Sequence, residues 1–99
     1  MLYKIIVILL FVQLASAFSL EAYSEVNYQG SYTRYDQKGT YSPGYTISSY
    51  HWNSPAGDGC CVKMCDGNRE VGYWCQAHDH DVSNFNKIVI GCDNDKLEC

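Results

Sequence analysis

Tyr23-Ser24-Glu25-Val26-Asn27-Tyr28-Gln29-Gly30 is the stretch on which the fold reading turns. Two tyrosines stand five positions apart, and a glycine lies two beyond the second. Glycine reaches φ > 0 without a Cβ clash, so Gly30 lets a hairpin fold sharply over its sheet. The flanking rings supply rigid apolar area, and their hydroxyls reach partners or water. The segment after the glycine, Ser31-Tyr32-Thr33-Arg34-Tyr35, is aromatic and β-branched and reads as a strand.

Downstream comes a polar, turn-rich stretch and then Ile47-Ser48-Ser49-Tyr50-His51-Trp52, a closing strand in which alternation points His51 outward. The second half repeats the order. Val62, Met64 and Cys65 are followed seven positions on by Gly72, as Leu20, Ala22 and Tyr23 are followed by Gly30. Tyr73-Trp74-Cys75 and Lys87-Ile88-Val89-Ile90 then stand where the two strands stood. Ile47 lies seventeen residues after Gly30 and Ile88 sixteen after Gly72, so the spacing implies a duplicated unit. No helical period is sustained, because Gly, Asn, Asp and Ser interrupt every β-favouring run. The expectation is an all-β chain of two units, residues 18–58 and 59–99. Each unit is long enough for the four strands of a Greek key, and the two pack into one sandwich.

Upstream, Lys4, the apolar run from Ile5 to Leu14 and the triplet Ala15-Ser16-Ala17 read as a cleaved secretion signal over residues 1–17. The run is too short for a membrane span, and no second one comes after it. An extracellular, secreted domain at residues 18–99 is expected. The chain carries a formal charge of −4, and losing Lys4 makes it more acidic. Its few cations are dispersed, so neither nucleic acid nor an anionic membrane is an expected partner.

Cys60, Cys61, Cys65, Cys75, Cys92 and Cys99 all lie in the second half. An even number in a small exported chain implies disulfides, in any of fifteen pairings, and the spacing lacks the paired knuckles of a zinc cluster. Adjacent Cys60 and Cys61 take different partners. A domain this short has little core, so each bridge matters, at about 2–4 kcal/mol.

The run from Tyr23 to Gly30, with Ser48-Ser49 ahead of a strand, resembles the Greek-key motif of the βγ-crystallin family over most of residues 18–99. Tyr23, Tyr28, Gly30 and Ser49 match the opening aromatic, the second aromatic, the glycine and the serine that ties down the folded hairpin. Gly72 marks the second copy, which departs from the pattern. Cys65 replaces the opening aromatic, Glu70 stands at the place of Tyr28, and either Ile90 or Gly91 falls opposite Ser49. Alternatively Ser83-Asn84-Phe85 matches Ser48-Ser49-Tyr50 across a loop seven residues shorter. The departure suggests sulfur bonds in place of ring and serine contacts, with Cys65 tethering its own hairpin and Cys75 as its candidate partner. Many members bind calcium through paired Asn or Asp, but Gly44-Tyr45 occupy those places here and the second copy offers only Asn86 or Asp79. Since calcium needs six to eight oxygen ligands, no cofactor is expected, calcium being the one candidate that the resemblance leaves open.

Other candidate sites weigh less. His78-Asp79-His80-Asp81 alternates metal-capable groups, yet in a turn-rich segment it reads as a solvated loop. Glu21, Glu25, Asp66 and Glu70 are acids with no spacing that pairs two for catalysis. Tyr32, Tyr35, Tyr41, Tyr45 and Tyr50 form either an exposed platform or, for about half of them, core filling. Loops 41–44 and 53–59 are available to a protease inhibitor, and Cys99 pins the end of an acidic tail. The resulting expectation is a monomeric, non-enzymatic extracellular protein that binds a protein or glycan in a binding or defence role. A calcium-binding stress protein, an antimicrobial toxin and a protease inhibitor are the alternatives.

Overall fold

The computed structural model describes residues 18–99, so the expected signal at residues 1–17 lies outside the described residues. Eight strands run in order: β1 (Ser19–Glu25), β2 (Gln29–Tyr35), β3 (Gly39–Tyr41), β4 (Ser49–Asn53), β5 (Cys60–Asp66), β6 (Arg69–Trp74), β7 (His78–His80) and β8 (Lys87–Cys92). All pair antiparallel, and no helix occurs among the described residues.

They form two four-stranded sheets, β2-β1-β4-β7 and β3-β8-β5-β6. Read from its other edge, the second order is the first with each unit exchanged for the other. Each half keeps three strands and gives its third away: β3 pairs with β8, and β7 with β4. Between the sheets, Ile47 and Phe85 exchange both backbone hydrogen bonds, at 2.7 and 3.3 Å. Ile47 stands two residues before the first residue of β4, as Phe85 does before that of β8. A residue that pairs with its own counterpart lies at the local two-fold relation between the units.

Alternation sends Leu20, Ala22, Tyr50, Trp52, Val62, Met64, Ile88 and Ile90 into one common core, with Phe18, Ile47 and Phe85 filling it. Each large side chain buried there contributes about 1.5–3 kcal/mol. Among the described residues, the buried Trp52 indole N–H is left without a hydrogen-bond partner. Stacked rings close both open edges, Tyr35 on Tyr41 at 4.4 Å beside β2 and β3, and Trp74 on His78 at 3.5 Å beside β6 and β7.

Three disulfides lock the second half: Cys60–Cys92, Cys61–Cys75 and Cys65–Cys99. The expected Cys65 tether to Cys75 is therefore corrected. Val62 faces Trp74 across β5 and β6, so the next position outward puts Cys75 beside Cys61. Cys65 instead holds the chain end. The tail straps the outer face of the second sheet, where Lys63 donates to the Leu97 carbonyl at 2.7 Å and Leu97 lies over Gly91. Val89 and Gly91 face outward by alternation, yet both are buried.

The glycine match is corrected too. Ala22 faces Thr33 and Met64 faces Gly72, so Gly72 occupies the place of Thr33 rather than that of Gly30. Gly30 has φ +86°, whereas Gly72 is not among the residues with positive φ. The cause is the turn. The second hairpin turns earlier, at Gly67 and Asn68, so Met64 meets Gly72 after a shorter excursion than the one through Val26, Asn27 and Tyr28 that brings Ala22 to Thr33. Likewise Tyr23 faces Ser49 where Cys65 faces Lys87, so the counterpart of Ser49 is Lys87, not Ile90, Gly91 or Asn84.

Candidate functional site

The site begins with one hydroxyl. Ser49 is fully buried on β4, and its Oγ accepts from the Tyr28 amide at 2.9 Å and donates to the Glu25 carbonyl at 2.6 Å. Those are the two ends of the turn between β1 and β2. Asn27 and Tyr28 take left-handed conformations there, at φ 59° and 62°, which side chains other than glycine rarely adopt. Ser24 Oγ accepts from the Ser31 amide at 2.7 Å, and a Cβ on Gly30 would collide with that same oxygen. The hairpin therefore folds back over the outer face of its own sheet. The sequence motif Tyr23, Tyr28, Gly30 and Ser49 is brought together as one device; Gly72 takes no part in it. In the second hairpin the Gly67 amide donates to Asn86 Oδ1 at 3.0 Å. Sequence reading missed Asn86 in that role, although its place just before β8 mirrors Ser48 before β4.

Folding the hairpin lays Tyr28 flat on His51, with centroids 3.9 Å apart and planes at 14°. Tyr23 meets Tyr28 edge-on at 5.8 Å, Tyr32 at 5.3 Å and His51 at 5.9 Å. This four-ring cluster lies on the solvent side of the sheet, and Tyr32 is 50% exposed. Across the strands runs a row of paired positions, Arg34, Glu21, His51 and Asp79. Glu21 accepts from the Tyr32 hydroxyl at 3.2 Å, and Asp79 lies 3.2 Å from His51 Nδ1. Burial, and then the charge of Glu21, hold the Tyr23 and Tyr32 phenols above their ordinary pKa. For Tyr28 burial is followed by the charges of Asp79 and Asp81. Three carboxylates, Glu21, Asp79 and Asp81, thus act on the rings, with Arg34 opposing them at Tyr32.

A second feature is a groove of about 450 Å³ along the edges β6 and β7, lined among others by Tyr50, Met64, Trp74, His78, His80 and Phe85. Tyr50 and His78 Nδ1 share a 2.8 Å hydrogen bond. Burial, partly offset by the Trp74 indole, pushes the Tyr50 pKa up to about 12. Burial, then His80, lowers that of His78, so its imidazole is neutral at pH 7.

The remaining sequence candidates separate. Residues 78–80 are a strand rather than a loop, with Asp79 on the face opposite His78 and His80. Among the described residues no group of three or more His, Cys, Asp or Glu side chains is placed to hold a metal ion. The cleft at Gly44 and Tyr45 is lined by Asn86 and Lys87 and by no carboxylate. Asp66 pairs with Arg69 and Glu70 with Lys63, both within the β5–β6 hairpin, while Glu21 and Glu25 belong to the other sheet. Of the five tyrosines weighed as a platform, Tyr35, Tyr41, Tyr45 and Tyr50 pack into or against the core, and only Tyr32 faces solvent. In the 53–59 loop buried Ser54 donates to Asp58, closing that loop on itself. Among the described residues no helix is long and apolar enough to cross a membrane. Against known proteins, no family model matches the chain, and neither a curated protein nor a solved structure does.

Proposed function

We propose that the chain is a secreted, non-enzymatic βγ-crystallin-like protein, two Greek keys with exchanged third strands, that acts outside the cell in a binding or defence role. The exchange of β3 and β7 supports the family reading, and three disulfides in so small a chain support the compartment. The observation that carries the binding reading is the cluster of Tyr23, Tyr28, Tyr32 and His51. A hairpin in left-handed backbone is pinned down to hold these rings on the outside, where they add little to the core. Ordered tyrosines on a surface supply contact area at low entropic cost.

The test presents oxidised protein, its reduced form and a Tyr32→Ala variant to arrays of glycans and peptides. Binding that needs the oxidised fold and falls with Tyr32→Ala is expected. Ligands that bind the variant and the reduced chain equally well would overturn the reading.

A further inference from the structure

The ring cluster on the outer face of the β2-β1-β4-β7 sheet rests on the binding role proposed above, and its chemistry narrows the ligand. We infer that this face takes the lysine and arginine side chains of a basic polypeptide. Aromatic faces attract cations through the ring quadrupole, and neighbouring carboxylates add directional acceptors. Both elements are present at each end of the cluster. Tyr23 and Tyr32 stand with Glu21 at one end, and Tyr28 stands with Asp79 and Asp81 at the other. Arg34, across the strands from Glu21, donates to Asp36 at 2.8 Å; its charge opposes that of Glu21 at Tyr32 but comes after it in size. Beyond the effect of burial, which comes first, the charges of Glu21 at Tyr23 and Tyr32 and of Asp79 and Asp81 at Tyr28 raise the phenol pKa values, and those same carboxylates favour an ammonium or guanidinium.

The chain itself contains the arrangement in finished form. On the other sheet the Lys63 ammonium sits 5.6 Å from the centroid of Tyr73 and 3.2 Å from Glu70, a cation held between a ring and a carboxylate. There the cation is internal, and the tail bonded to Lys63 covers the strands beside it. On the first sheet the rings and carboxylates are present, and the ligand supplies the cation. The acidic surplus of the whole chain steers a basic partner toward it.

The experiment uses the oxidised, secreted protein and three fluorescent peptides of equal length, alternating serine with arginine and lysine, with glutamine, or with glutamate. Anisotropy titrations run at neutral pH, at low and at high salt. The basic peptide binds tightest, and salt weakens it. Tyr32→Ala and Asp79→Asn each cost about two- to five-fold in affinity, and the double variant about tenfold. Tyr73→Ala, on the opposite sheet, changes nothing. Circular dichroism of each variant verifies folding, and Tyr32 and Asp79 are exposed enough to replace without disturbing the core.

Equal affinity for the glutamine peptide overturns the inference, as does a basic-peptide affinity that neither substitution lowers. If a neutral peptide or glycan binds and Tyr32→Ala abolishes it, the cation assignment fails while the binding surface stands. If no probe of any class binds the folded protein, both fail.

Discussion

Replacing Ser49 by alanine removes one oxygen and orphans two backbone groups. The Tyr28 amide loses its acceptor, and the Glu25 carbonyl loses its donor, both against a side chain that is fully buried. An unsatisfied group in such a place costs about 1–3 kcal/mol, and the turn can rehydrate in part, so the loss is about 2–4 kcal/mol. For a domain this size each kcal/mol lowers the melting temperature by about 4–8 °C, which predicts a fall of about 10–25 °C. Urea denaturation of the oxidised protein gives the free energy directly, and the slope stays unchanged if only the native state has been weakened. Asn86→Ala is the internal comparison. It removes one exposed hydrogen bond from the second hairpin, worth about 0.5–1 kcal/mol. Because Ser49 sets the position of Tyr28 over His51, its variant also weakens whatever binds the ring cluster. If the two variants agree within about 0.5 kcal/mol, Ser49 does not fasten the hairpin and the account of the site fails.

Gly30→Ala combines a positive φ with a collision at Ser24 Oγ and costs about 2 kcal/mol or more, whereas Gly72→Ala, whose nearest neighbour would be Met64 Sδ at 3.2 Å, costs under about 1 kcal/mol; thermal melts that rank them the other way refute the register correction. Replacing Cys65 and Cys99 together by serine opens the loop that the bridge closes over a sequence separation of 34, and a loop of that length predicts a loss of about 3–4 kcal/mol by urea denaturation. Limited proteolysis should then cut the freed tail first, while the tyrosine face keeps its ligand affinity. The Tyr50 pKa is raised in the folded state, so its contribution is complete below about pH 10, the phenol's unfolded value, and disappears as pH rises toward 12. Absorbance at 295 nm should therefore register the last phenolate together with loss of the fold, and Tyr50→Phe should flatten the stability profile above pH 10.

Much of the architecture was legible because strand identity depends on local composition. The aromatic and β-branched runs Ser31 to Tyr35, Ile47 to Trp52 and Lys87 to Ile90 mark strands by composition alone, and alternation with Tyr50 and Trp52 turns His51 outward. The Tyr23 to Gly30 motif was legible because a sharp fold needs glycine, while Ser49 entered only through the family resemblance. Register was not, because it is set by how many residues a turn consumes. The hairpin from Met64 to Gly72 is shorter than that from Ala22 to Thr33, which moved Gly72 away from the place of Gly30, and the shorter path from Cys65 to Lys87 than from Tyr23 to Ser49 moved Lys87 into that of Ser49. The sulfur pairing depended on the same register and was unreadable for the same reason. Asp79 and Asp81 joined the site only because β7 crosses to the other unit's sheet, a long-range pairing without a local signal.

The difference between the two halves arises from how each hairpin is fastened. The first uses a buried hydroxyl from the strand beneath it, which takes up no outer surface and leaves Tyr23, Tyr28 and Tyr32 outside. The second has no serine at that place, since Lys87 stands there, and its ring position holds Cys65. A cysteine needs a partner, and the one it finds is the chain end, which must then lie across the sheet and cover it. Sulfur thus stabilises the second unit at the expense of its outer face, while oxygen stabilises the first and keeps its face free. A surface available to a partner is accordingly expected on the half that carries no cysteine, and that is the half that displays the ring cluster.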